Sequence, residues 1–212
     1  MLNKLFGRNR LARAIADNDL PLLLKAIRAG EPLDQPFILN EQETTALQHC
    51  LSLSRTELLA KLLEAGISLP DNNLEQAALL TQAIESGPAA LELSTLLLQS
   101  GIDPNAADGQ VLFDLLELQD SNRLNLLLNR FLQYGAEFNR HQRNGQSLLT
   151  QLLQQSRPLA ELQLLSGMLI QAGAQLPEQL DRLDCSDDIK AFARRQAEDV
   201  AIRQRLSGSP LG

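Results

Sequence analysis

The 212-residue chain reads as an all-α solenoid of about five helix-turn-helix repeats with capping helices at its ends. Three observations predict that class. Leu-rich segments close at Gly30, Gly66, Gly101, Gly135 and Gly173, so the punctuation recurs after 36, 35, 34 and 38 residues. A period in this range marks units that cannot bury their apolar faces alone and stack to do so. Composition agrees, with 44% hydrophobic residues, 3% aromatics and no Trp. Leucine in place of β-branched and aromatic residues favours helices over strands. The glycines also suit helix ends, where the residue past the cap takes left-handed backbone that a missing Cβ makes easy.

Asp and Glu outnumber Lys and Arg by 26 to 19, a formal net charge of -7. The surplus is local. Residues 31–120 hold 15 acids and 2 bases, whereas residues 1–30 hold 6 bases and 2 acids. Phosphate neutralisation needs surplus Lys and Arg, so nucleic acid is not an expected partner. A basic protein partner is, with binding that weakens as salt rises. The two cysteines, Cys50 and Cys185, lack ligand-spaced neighbours, and Cys50 reads as a small buried hydrophobe. No apolar core of a secretory signal follows the basic start, and no window reaches the roughly 18 apolar residues of a membrane span. A cytoplasmic, reducing setting is the expectation.

Taken in order, residues 1–10 form an N-terminal cap or arm, with Leu2, Leu5 and Phe6 on one face. In the first unit Leu11, Ala14 and Ile15 mark one short helix and Asn18-Asp19 breaks it. Leu20 to Gly30 makes the second, with Pro21 tolerated in its first turn. Glu31 to Thr44 is a long connection carrying two prolines and the apolar triplet Phe37-Ile38-Leu39. Three such residues either tuck under the neighbouring turn or form a contact surface. The second unit is the most regular, from Thr45-Ala-Leu-Gln-His-Cys50 to Thr56-Glu-Leu-Leu-Ala-Lys-Leu-Leu-Glu-Ala-Gly66.

Here the chain resembles the ankyrin repeat, whose pattern runs Thr-Pro-Leu-His-x-Ala, then Leu-Leu, then Gly-Ala-Asp-x-Asn. Thr45-Ala-Leu47, Cys50, Leu62-Leu63 and Gly66 match it, and Gln48 stands where the family has His. The resemblance implies that Thr45 closes the turn with its hydroxyl. Gly101-Ile-Asp-Pro-Asn105 followed by Asp108-Gly109 matches the turn motif, and Gly145-Gln-Ser-Leu-Leu149 is a version of the helix opening. The tetratricopeptide period of 34 fits the spacing too, but the glycine after the second helix and the Asp-Pro-Asn turn fit ankyrin better. The likeness covers residues 11–176, with degenerate third, fourth and fifth units. The third has its first helix at Ala77 to Glu85 and a longer link, Ser86 to Ala90. Residues 177–206 carry a charged helix that caps the last repeat, and residues 207–212 are expected to be disordered.

Chemistry is sparse. His49 and His141 have no Cys, Asp or Glu at metal-ligand spacing, and no phosphate-binding loop or nucleophile elbow occurs. No catalytic, cofactor-binding or metal residue is expected. The resemblance implies a protein-interaction module that binds through hairpins and inner helices. Its candidate contacts are Asn139, Arg140, His141 and Arg143 at one hairpin tip, with Asp108 and Phe37 elsewhere. The arginines suit carboxylate or phosphate, His141 titrates near neutrality, and an ordinary polar turn is the competing reading. Phe138 is expected to pack inward. Two other classes remain: a structural adaptor bridging other chains, and an enzyme whose site is assembled from surface acids.

Overall fold

Each repeat glycine ends a helix by the same backbone device. The computed structural model describes residues 10–39, 41–139 and 145–206. At Gly66, φ is +80°, and the next amide, Ile67 N–H, donates to the Leu62 carbonyl at 3.1 Å. Glu31 to Ala26, Ile102 to Leu97, Ala136 to Phe131 and Ala174 to Leu169 make the same bond at 2.9–3.2 Å. This is the Schellman closure that left-handed backbone permits. Ile67, Ile102, Ala136 and Ala174 are then buried just past the turn.

Contacts divide the chain into two compact units, Met1–Ala107 and Asp108–Gly212. The first contains α1 (Arg10–Ala16), α2 (Leu20–Arg28), α3 (Ala46–Ser52), α4 (Thr56–Glu64), α5 (Asn73–Ile84) and α6 (Ala90–Gln99). Successive helices pair as α1 with α2, α3 with α4, and α5 with α6. The first helices, α1, α3 and α5, pack in one row, and the second helices, α2, α4 and α6, in another. Leu11, Ile15, Leu23, Leu51, Leu58, Leu62, Leu80 and Leu93 fill the space between the rows. This is an all-α, ankyrin-like stack.

Local chemistry sets the helix ends. The Asp19 carboxylate accepts from Leu22 N–H at 2.9 Å, and Pro21 follows in the first turn of α2. Thr45 and Gln48 form a reciprocal capping box: Gln48 N–H donates to Thr45 Oγ1 at 3.2 Å, and Thr45 N–H to Gln48 Oε1 at 3.0 Å. The residue that replaces the expected His therefore completes the cap itself. Asn72 caps α5 through Leu74 N–H at 2.9 Å, which starts that helix four residues before the expected Ala77.

The connection from Glu31 to Thr44 is more than a loop. Phe37–Leu39 (β1) and Gln42–Thr44 (β2) pair antiparallel, with Phe37 opposite Thr44 and Ile38 opposite Glu43. Pro32 and Pro36 masked the ribbon, yet both fall ahead of the paired residues and take no ladder bond away.

The second unit contains α7 (Ala106–Leu116), whose first residues lie at the unit boundary, then α8 (Ser121–Gln133), α9 (Leu148–Leu153), α10 (Leu159–Gln171) and α11 (Asp187–Leu206). Asp120 caps α8 and Ser147 caps α9. Along α11, Ile189 and Ala193 are buried as it packs against α10, and the Phe192 ring lies over Gly167 of α10. The stretch read as one turn from Gly101 to Gly109 is different in detail. Helix α7 starts at Ala106, and Ala107, Asp108 and Gly109 all have positive φ, at +50°, +55° and +73°.

Side chains also tie one repeat to the one before. Arg55 Nε and Nη2 donate to the carbonyls of Ile15 and Ala16, at the end of α1, both at 3.3 Å. Arg157 does the same in the second unit. Its Nη2 donates to the Leu116 and Leu118 carbonyls at 2.8 and 2.6 Å, its Nη1 to Ser121 Oγ at 3.1 Å, and its Nε to Gln155 Oε1 at 2.6 Å. Such a fork satisfies the carbonyls that a helix end leaves bare. The side chain is only 8% exposed, so these bonds face little competition from water. Arg157→Ala should lower stability by about 3 kcal/mol in urea unfolding, and Arg157→Lys should recover under half of that, because an ammonium lacks the planar fork. Conversely, Ala107→Gly should raise stability on the order of 1 kcal/mol in the same measurement, by relieving a left-handed alanine.

Candidate interaction groove

In the first unit, the loops after Gly30 and Gly66 and the N-terminal turns of α3 and α5 enclose a half-open cavity of about 280 Å³. The floor is apolar, built from Leu47 on α3, Leu79 on α5, and Leu33 and Ile67 in the two loops. Leu47, Ile67 and Leu79 are buried, which fixes the floor in the core of the repeat. Ala78 of α5 also lines it and is exposed. One turn earlier on the same helix stripe, Leu74 is 70% exposed and extends the apolar strip beyond the cavity.

The polar rim has two carboxylates, Asp34 and Glu75. Asp34 is held in place, its oxygens accepting from Ser68 N–H at 2.7 Å and Ser68 Oγ at 3.1 Å. It stands four residues past Gly30 and reaches the residue two past Gly66. Asn139, four past Gly135, repeats the linkage: its Oδ1 accepts from Gln175 N–H at 2.8 Å, and its Nδ2 donates to the Gly173 carbonyl at 2.9 Å. At the corresponding place past Gly66 the chain has Pro70, which offers no side-chain acceptor. Gln76 takes over, its Oε1 accepting from Asp103 N–H at 3.1 Å and its Nε2 donating to the Pro70 carbonyl at 2.8 Å. Glu75 is exposed and has no polar partner among the described residues.

The second unit has a recess at the matching position, of about 400 Å³. Ser147, Thr150 and Gln175 stand there, with Asn139 on the rim, so its lining is polar where the first groove is greasy. Among the described residues no group of three His, Cys, Asp or Glu could hold a metal ion, and no helix is long and apolar enough to cross a membrane. Cys50 is buried, and burial pushes its thiol up to about 12. It is an inert core residue.

The structure does not gather the sequence candidates at this groove. Phe37 is half-buried and packs edge-on against His49, with ring centroids 5.7 Å apart, whereas its neighbour Ile38 is 56% exposed. Of the two readings of the triplet, tucking holds for Phe37 and exposure for Ile38. Asp108 is exposed in the left-handed first turn of α7. Asn139 is exposed, but both polar atoms of its amide serve the strut to Gly173 and Gln175. Arg140, His141 and Arg143 lie outside the described residues, as do the arm at 1–9 and the tail at 207–212. Phe138 is buried, as expected. Sequence reading missed Asp34, Leu74, Glu75 and Ala78. The one available signal was that Asp34 sits four residues after a repeat glycine, as Asn105 and Asn139 do.

Helix-closing glycines with left-handed backbone recur after 34 to 38 residues, and side-chain struts join the turns they make. The repeats are ankyrin-like. Among solved structures, the ankyrin repeat domain of Bcl-3, "a unique member of the IkappaB protein family", is similar at TM-score 0.48 and 19% identity, over 89% of this chain and 99% of that one. No family model and no curated protein matches the chain.

His49, which supports Phe37, is 4% exposed, and neither ring nitrogen has a hydrogen-bond partner among the described residues. Desolvation first, and the Arg55 charge second, push its pKa below the ordinary 6.5. The fold thus prefers neutral His49, whereas the unfolded chain takes up the proton at 6.5. This contribution is complete above that pH and is lost as pH falls from there through the folded-state pKa. The urea midpoint should therefore drop between about pH 7 and pH 5.5, and His49→Leu should flatten that slope.

Proposed function

We propose that this chain is a non-catalytic protein-interaction module that seats a segment of a partner protein in the groove of α3 and α5. The open, apolar-floored cavity on the first-helix row, lipped by exposed Leu74, is the observation that carries the reading. A soluble surface seldom leaves a large aliphatic side chain beside a concave apolar floor without a use for it. Its size, at the small end for a ligand pocket, suits one or two side chains of a peptide better than a whole metabolite. On this reading residues 11–176 are the repeats that shape binding surfaces, and 177–206 are the cap that covers the last of them. Asp108 and the hairpin residues Arg140, His141 and Arg143 are secondary contacts on other repeats, and Phe37 supports the hairpin from inside.

The test uses the full chain, immobilised, against a displayed library of random peptides, with parallel selection on Ala78→Trp. An indole at Ala78 fills the cavity without changing net charge, and the position is exposed enough to accept it. Groove binding requires peptides that the wild type enriches and the variant loses. Peptides retained equally by both proteins, or no enrichment at all, would remove the groove from consideration.

A further inference from the structure

The groove carries a charge pattern that selects its occupant. Asp34 and Glu75 stand on its rim, and Glu75 has no polar partner among the described residues to offset it. Between Glu31 and Asp120 the only bases are Arg55 and Lys61. Neither is available to the rim. Arg55 is spent on the Ile15 and Ala16 carbonyls, and Lys61 pairs with Glu64 at 2.6 Å. The opposing influence is the pair of helix N-termini, α3 and α5, which each present about half a positive charge. Thr45 and Asn72 already cap them, so two full carboxylates outweigh two capped half-charges.

The polar and apolar parts also adjoin one another on α5. Leu74 and Ala78 share one stripe of α5 and Glu75 and Leu79 the adjacent one, with Leu47 and Leu79 buried in the floor. A ligand on this face meets an exposed leucine and a carboxylate side by side at the mouth of an apolar recess. We propose that the groove recognises a protein segment in which an Arg or Lys directly neighbours a large aliphatic residue. The aliphatic side chain enters the cavity, and the cation sits between Asp34 and Glu75. The polar recess of the second unit, lined by Ser147, Thr150 and Gln175, lacks that floor and does not share the specificity. This inference rests on the groove being a protein-binding site.

Two fluorescein-labelled twelve-residue peptides test it, one alternating Leu and Arg, the other alternating Leu and Glu. Fluorescence anisotropy against the full chain should show the Arg peptide bound at least about ten-fold more tightly, with the difference shrinking as salt rises. Glu75→Lys should erase the preference. Ala78→Trp should abolish binding of the Arg peptide although the charge is unchanged, which separates seating in the groove from general attraction to an acidic surface. Asp34 is left intact because its carboxylate holds Ser68. Urea midpoints of both variants near the wild-type value establish that they fold.

Equal or tighter binding of the Glu peptide, or Arg-peptide binding indifferent to Ala78→Trp, overturns the proposal. So does no binding of either peptide, while groove-dependent peptides of another composition from the random library would keep the binding site and discard its charge rule. The chain's own Ile202-Arg-Gln-Arg-Leu206 has suitable chemistry, with Ile202 and Leu206 exposed. Sedimentation that shows a dimer dissolved by Ala78→Trp would assign the groove to a second copy and overturn a separate partner protein as its occupant.

Discussion

Much of this structure depends on one backbone donor, the amide two residues past a repeat glycine. The turn that closes each helix uses the first amide after the glycine, so the second must look outside its own turn. Ser68 finds Asp34, Asp103 finds Gln76, and Gln175 finds Asn139. These amides lie at exposed turns, so each bond adds a modest net stabilisation of about 1 kcal/mol and, above all, a fixed geometry. The struts therefore fix the register between neighbouring turns, while Leu-on-Leu packing, which tolerates small slides, supplies the bulk of the cohesion. Arg55 and Arg157 add a second tie at the opposite end of the repeats, where first helices leave carbonyls bare.

The same requirement explains which parts of the fold were legible beforehand. The glycines and the Thr45 cap are local signals, complete within a few residues, and they stood out. The β1–β2 ribbon did not, because Pro32 and Pro36 crowd the approach to it and the strands are three residues each. Helix α5 began early for a reason equally small, the Asn72 cap. Asn139 looked like a displayed polar residue because its partners are 34 and 36 positions away. Gln76 was invisible for the opposite reason: it fills a role that the pattern gives to the position of Pro70.

The groove was harder still to read. Its rim brings Asp34 beside Glu75, and its floor joins Leu33 to Leu79, residues more than forty apart in sequence. No single-helix periodicity reports such a surface. What the sequence did contain was the uneven charge, and the structure converts that from a bulk property into two carboxylates at a defined edge. The comparison between units sharpens the point. One architectural position holds an apolar-floored cavity in the first unit and a recess lined by hydroxyl, amide and carboxylate groups in the second, so repeats with shared backbone hydrogen bonds can diverge in the surface they offer.

Most ties between repeats also share a direction. Ser68 N–H, Asp103 N–H, Gln175 N–H and the Arg55 and Arg157 guanidinium groups belong to the later segment and donate to the earlier one, whereas Asn139 Nδ2 donates forward to the Gly173 carbonyl and Ser121 Oγ forward to Glu161. An idle carbonyl or carboxylate on an earlier repeat is readily hydrated while it waits. The later amides lie at exposed turns, so water serves them too until the earlier acceptor is in reach. During synthesis the acceptors emerge first, so each new repeat leaving the ribosome meets a finished template behind it. Loss of a repeat from the front of the stack removes the acceptors that the next turn's amide and guanidinium use, whereas loss from the back mostly frees acceptors.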